Sequence, residues 1–156
     1  MPTVEYSKKT AIVYYSWSGT TGSFANKLAH DSDADLYRIK DRKRPDLLSA
    51  LFKGCADARN RMPIEAENAL PDLWAYEKII FCCPIWAGYP APAFNNMIAA
   101  LPSGKAVELY FISASGSSRK SEEGTKALIS SKNCEIAAYQ DIFSADVDVR
   151  YKLKKF

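Results

Sequence analysis

The 156-residue sequence has one histidine, His30, and four cysteines, Cys55, Cys82, Cys83 and Cys134. It has no Cys-x-x-Cys pair and no Cys/His grouping at ligand spacing, so no metal site is expected. Cys82 and Cys83 are adjacent in an apolar run, where free thiols act as small hydrophobes. That usage fits a reducing, cytoplasmic location. Long apolar runs are also missing. The longest, Ile79 to Ala87, is nine residues, against about 17–25 for a membrane span. The opening residues Met1 to Tyr6 lack the apolar stretch of a secretion signal. No membrane partner is expected.

An excess of one charge is likewise absent. Twenty-one basic residues face 18 acidic ones, a formal +3, too mild a balance to indicate nucleic acid. Seven glycines and eight prolines are close to average, which excludes collagen-like and low-complexity chains. Two nucleotide-binding signatures are missing: Gly-x-x-x-x-Gly-Lys for triphosphates and Gly-x-Gly-x-x-Gly for dinucleotides. The length suits one domain over residues 1–156, and neither a repeat nor a linker divides it.

What the sequence does contain is an alternation of buried-strand runs and helical patterns, which predicts an α/β fold with a parallel sheet. Strands are expected at Ala11–Tyr15, Leu36–Ile39, Lys78–Cys83, Val107–Ile112 and Glu135–Tyr139. The third is expected to stop at Pro84, which cannot donate to a ladder. Phe24, Ala25, Leu28 and Ala29 share a face of a first helix, with His30 on the surface near its end. Arg38, Lys40, Arg42, Lys43 and Arg44 form a basic cluster, read as a solvated strand edge and loop that also offers attraction to a nucleotide phosphate. Pro45 opens a second helix, in which Leu47, Leu48, Leu51, Phe52 and Cys55 line one face. Residues 59 to 76 form a long connection. Phe94, Met97, Ile98 and Leu101 mark a helix after Pro92, and a weaker helical pattern covers 119 to 131. The last stretch fits two templates: Val147, Val149, Tyr151 and Leu153 alternate like a strand, whereas Val149, Leu153 and Phe156 suit a helix capped by Asp148. The layered fold favours a closing helix.

Three loops follow predicted strands at their carboxyl ends, where open α/β sheets bind ligands. The first, Ser16-Trp17-Ser18-Gly19-Thr20-Thr21, has four hydroxyl side chains in six residues and runs into a helix. The outward amides and dipole of a helix start suit a phosphate without a lysine. The same residues also serve as an ordinary helix cap. The second, Pro84-Ile85-Trp86-Ala87-Gly88-Tyr89, places two aromatics beside a glycine. Their faces suit a flat heterocycle, or Trp86 packs as core. The third, Ser113-Ala114-Ser115-Gly116-Ser117-Ser118, presents small polar residues and backbone amides that suit a ring edge, or forms an ordinary turn. No loop offers an obvious acid or base, so no catalytic side chain is assigned.

Tyr14 to Thr21 resembles the phosphate loop of the short-chain flavodoxins and flavodoxin-like proteins, and Cys83 to Ala93 is similar to their second flavin loop. The resemblance spans about residues 10 to 140. It implies a five-stranded sheet in the order 2-1-3-4-5 with helices on both faces, binding flavin mononucleotide (FMN) non-covalently. By the same resemblance, Ser16, Ser18, Gly19, Thr20 and Thr21 hold the phosphate, joined by the Trp17 amide. Pro84 to Gly88 run along the ring, with Tyr89 at the end of that loop, and Ser113, Ala114, Ser115 and Gly116 close its other side. Electron-carrier flavodoxins are typically acidic, and this chain departs from them in charge.

Three functions follow from this reading: an electron carrier serving redox partner proteins, an NAD(P)H-dependent reductase of quinones or flavins, and a flavin-free binding module. The carrier is the leading expectation, with a monomer or weak dimer as its state.

Overall fold

The computed structural model describes residues 10–151. The chain runs β1 (Thr10–Tyr15), α1 (Thr20–Ser32), β2 (Asp35–Ile39), α2 (Leu47–Ser49), a π-helical segment (Ala50–Gly54), α3 (Cys55–Arg59), β3 (Lys78–Trp86), β4 (Tyr89–Pro90), α4 (Ala93–Ala100), β5 (Ala106–Ser113), α5 (Glu122–Ser131) and β6 (Glu135–Phe143). Five strands lie in the order β2-β1-β3-β5-β6, and each neighbouring pair is parallel. With the short β4 set aside, this is the expected 2-1-3-4-5 sheet.

The central strands are apolar along their whole length because both sides of the sheet are covered. Ala11, Val13 and Tyr15 point to one side, with Ile79, Phe81, Cys83, Leu109 and Phe111 and with Phe94 and Met97 of α4. Phe94 sits edge-on between Phe81 and Phe111, at centroid distances of 6.1 and 5.5 Å. Each such buried ring contributes about 1.5–3 kcal/mol. Ile12, Tyr14, Ile80 and Cys82 face the other side, where Ala25, Phe24 and Leu28 of α1 cover them.

Two expectations need correction, and a third, the stripe of the second helix, gains its direction from the fold. Pro84 does not end β3, which continues to Trp86 and turns back into β4, pairing Ile85 with Pro90 and Trp86 with Tyr89. The β1 ladder ends at Tyr14 opposite Cys82, so the missing proline N–H deprives no β1 partner, and the Pro84 carbonyl accepts from the Ala91 amide at 2.9 Å. Next, the stripe of Leu47, Leu48, Leu51 and Phe52 lies on the solvent side of its helix. The small residues Ala50 and Ala58 are buried instead. Finally, 3-10 turns at Ser144–Asp146 and Val149–Tyr151 stand where a closing helix was expected. Asp148 does act as a cap, accepting from the Arg150 amide at 3.1 Å, but Leu153 and Phe156 lie outside the described residues. Among the described residues no helix is long and apolar enough to cross a membrane, and no cluster of His, Cys, Asp and Glu is arranged to hold a metal.

Candidate functional site

Because β1, β3 and β5 are adjacent and parallel, the loops that leave them open at one edge of the sheet. The β1 loop is the tightest. Gly19 takes a left-handed conformation (φ 97°) as the N-cap of α1, a geometry that favours glycine. Its amide donates to Ser16 Oγ at 3.1 Å, and its carbonyl accepts from the Ser23 amide at 3.0 Å, the first bond of α1. Ser16 and Thr21 are buried. Ser18 is exposed, with its hydroxyl 3.4 Å from that of Thr20. No side chain caps α1, and its first turn carries no acid. Among the described residues the positive end of the helix has no side-chain cap and no first-turn acid, which favours an anion there by about 0.3–1 kcal/mol, and more where buried.

Two cations of the basic cluster brace this loop. Arg44 Nη2 donates to the Trp17 carbonyl at 2.9 Å, and its guanidinium stacks on the Trp17 indole, 4.5 Å from the centroid. Arg38 donates to the Ser16 carbonyl at 3.4 Å. These two residues are part of the loop's scaffold, a correction to the reading of the basic cluster as a solvated edge. The Trp17 Nε1–H donates to the Pro45 carbonyl at 2.9 Å, so the Trp17 side chain packs on the 44–45 segment. Tyr15, at the end of β1, donates to Asp41 at 2.6 Å. Burial, and then that bond, push its phenol well above the ordinary value.

The β3–β4 hairpin forms the second wall. Ala87 (φ 51°) and Gly88 (φ 89°) both have positive φ, as the primed two-residue turns require. Ala87 holds that conformation at some strain. Trp86 is half-buried, edge-to-face with Tyr15 at 6.0 Å, and its ring rests against Gly54. The Gly88 carbonyl accepts from Ser121 Oγ at 2.6 Å, which ties the hairpin to the start of α5. Arg61 and Lys120 both approach the Tyr89 ring, at 5.7 and 5.8 Å from its centroid. Arg61, Ser121 and Gly54 have no sequence signature for this role, because only the fold brings them to the hairpin.

The third wall is the β5 loop. Ser113 Oγ accepts from the Gly116 amide at 3.0 Å, and Gly116 (φ 66°) packs on the Phe143 ring. Ala114 and Ser115 are exposed. Behind them, buried Ser118 donates to Asp141 at 2.6 Å and bonds Tyr139. Burial raises the Tyr139 phenol to about 12. A cavity of about 430 Å³ adjoins Trp86, lined among others by Asp41, Lys43, Arg44, Lys53 and Gly54.

The edge thus combines an anion-binding helix start, an aromatic hairpin and a small polar loop. A flavoprotein from Lactobacillus acidophilus, solved in complex with FMN, is similar to the chain at 23% identity over 88% of this chain and 94% of that one, with TM-score 0.68. A protein from Bacteroides eggerthii assigned as a flavoprotein aligns at 21% identity over 85% and 87%, with TM-score 0.73. A flavodoxin, the WrbA-like protein of Agrobacterium tumefaciens, aligns at 18% over 93% and 88%, with TM-score 0.52. At such identities the likeness is one of fold. No curated protein matches the chain. The flavodoxin family model matches residues 9–143, across both the hydroxyl-rich loop and the hairpin, and the chain therefore belongs to the flavodoxin family.

Proposed function

We propose that the protein binds FMN at this edge and acts in electron transfer. The observation that carries the reading is the start of α1: an uncapped helix end, free of acids and framed by the hydroxyls of Ser16, Ser18, Thr20 and Thr21. These groups fit a phosphate monoester, with Gly19 and the Trp17 amide completing the turn. Trp86 and the hairpin from Pro84 to Tyr89 would flank the ring on one side, and Ser113 to Gly116 on the other. Bound there, FMN would supply reversible transfer of one or two electrons. The chain's part is to hold and orient it: Arg38 and Arg44 stiffen the phosphate loop, and Ser121 holds the Gly88 carbonyl. Membership of the flavodoxin family and the FMN complex of the Lactobacillus protein support this assignment.

A second reading, an NAD(P)H-dependent reductase, rests on the cavity beside Trp86 with Lys43, Arg44 and Lys53 in its lining. It offers room for a second nucleotide, with those cations set among the carboxylates of Asp41, Asp46, Asp57 and Glu65.

The test is reconstitution with FMN, desalting and an absorption spectrum. Retained flavin bands are expected. A colourless protein would sink both readings and leave the flavin-free module. NAD(P)H oxidation with a quinone then separates the two: turnover above that of free FMN identifies the reductase, and its absence supports the carrier serving redox partner proteins.

A further inference from the structure

The helix that runs from α2 through the π segment into α3 is inverted relative to an ordinary surface helix. Ala50, Gly54 and Ala58, spaced at four residues, turn inward: Ala50 and Ala58 are buried, and Gly54 meets Trp86. Leu47, Leu48, Leu51 and Phe52 turn outward at 61, 66, 55 and 74% exposure. Two large apolar residues and their i+4 partners therefore form one continuous outer ridge. The fold gains almost nothing from that ridge, because its side chains bury little area within the chain.

Charge identifies what the ridge meets. Residues 42 to 65 hold six basic side chains (Arg42, Lys43, Arg44, Lys53, Arg59, Arg61) against three acidic ones (Asp46, Asp57, Glu65), a net +3 that equals the formal charge of the whole chain. Two of these acids pair with two of the cations and the third caps the helix, so the surplus rests on Lys43, Arg44, Arg59 and Arg61. Asp46 accepts from the Ser49 amide at 2.8 Å, Asp57 pairs with Lys53 at 3.1 Å, and Glu65 pairs with Arg42 at 2.6 Å. A second copy would set this positive segment against its own like, which is unfavourable. An anionic partner is favoured.

A surface helix of exposed large apolar side chains flanked by lysine and arginine has the character of an interfacial helix, with its apolar ridge in the acyl boundary and its cations among headgroups. We propose that this ridge docks the protein on an anionic lipid surface. Leu47, Leu48, Leu51 and Phe52 insert, while Lys43 and Arg59 contact the headgroups. Trp86 lies directly behind the ridge through Gly54, so docking brings a wall of the candidate site to the membrane. The proposal runs against the sequence expectation of no membrane partner, and it does not depend on FMN binding.

The test is co-sedimentation of the full-length protein, with and without FMN, on vesicles of phosphatidylglycerol and phosphatidylcholine and on phosphatidylcholine alone. Binding to the anionic vesicles is expected, weakening as salt rises and unchanged by FMN. Leu48→Asp or Phe52→Asp should each lower partitioning about tenfold or more, with circular dichroism and melting temperature unaltered. Lys43→Glu should lower it with the same fold retained. Three results would overturn the proposal: no binding to anionic vesicles, binding indifferent to Leu48→Asp and Phe52→Asp, or a concentration-dependent dimer abolished by those variants. Retention on immobilised polyglutamate without vesicle binding would reassign the ridge to an acidic polypeptide. Loss of FMN retention alone bears on the proposed function and leaves vesicle binding intact.

Discussion

The Trp86 ring lies so close to the Gly54 α-carbon that a methyl group added there would stand 2.8 Å from the indole. A helix that presents its large residues to solvent is thereby seated on the aromatic wall of the candidate site through a glycine. The π segment ending at Gly54 marks that seat, as single-turn π segments often do at functional positions.

Gly54→Ala should therefore destabilise the protein although alanine is the better helix former. Overpacking costs about 1–3 kcal/mol, and the gain in helix propensity offsets about 1 kcal/mol. Chemical denaturation followed by tryptophan fluorescence reads the balance. A net gain in stability would show that the helix lifts freely from Trp86.

Ser121→Ala should loosen the hairpin. The variant loses the 2.6 Å bond to the Gly88 carbonyl, worth about 0.5–1.5 kcal/mol net, at a turn where Ala87 is already in an unfavourable conformation. Amide exchange of the 85–90 segment should accelerate severalfold while β1 and β5 stay protected. If FMN binds as proposed, its affinity should fall as well, and Ser121→Thr should restore part of it.

Tyr15 gives a prediction for alkaline pH. Its phenol is raised above 10.0, so the folded state favours the neutral form. The associated stability is fully present below pH 10 and is lost as pH climbs above it. In an absorbance titration, wild type and Tyr15→Phe should show equal numbers of tyrosinates until the protein unfolds. An extra early tyrosinate in wild type would contradict the buried Tyr15–Asp41 bond. The same variant should lose about 1 kcal/mol of stability.

Much of the framework was legible because strand burial is a local property of composition. Ala11–Tyr15 and Lys78–Cys83 read as continuous apolar runs, and they are the buried centre of the sheet. The helical spacing of Phe94, Met97 and Ile98 likewise matched α4. The second helix was legible as a stripe but not in its orientation. Its leucines repeat at helical spacing, yet periodicity identifies a stripe without saying which way it faces. Only the fold shows that Gly54 meets Trp86, with Ala50 and Ala58 buried and the leucines left outside.

Pro84 was misread because a proline's cost depends on its neighbour. Where the adjacent strand has already ended, the missing N–H removes no bond. Arg38 and Arg44 looked like a solvated run because their partners, the Ser16 and Trp17 carbonyls, are far away in sequence.

The sequence by itself determined the α/β alternation, the parallel sheet, and three polar or aromatic loops at strand ends, since each is written in contiguous residues. Tertiary structure alone decided which side chains brace those loops, that Ser121 holds Gly88, and that an apolar ridge faces outward. Each of these depends on groups brought together from distant parts of the chain, where packing space and hydrogen-bond geometry, rather than local pattern, select the arrangement.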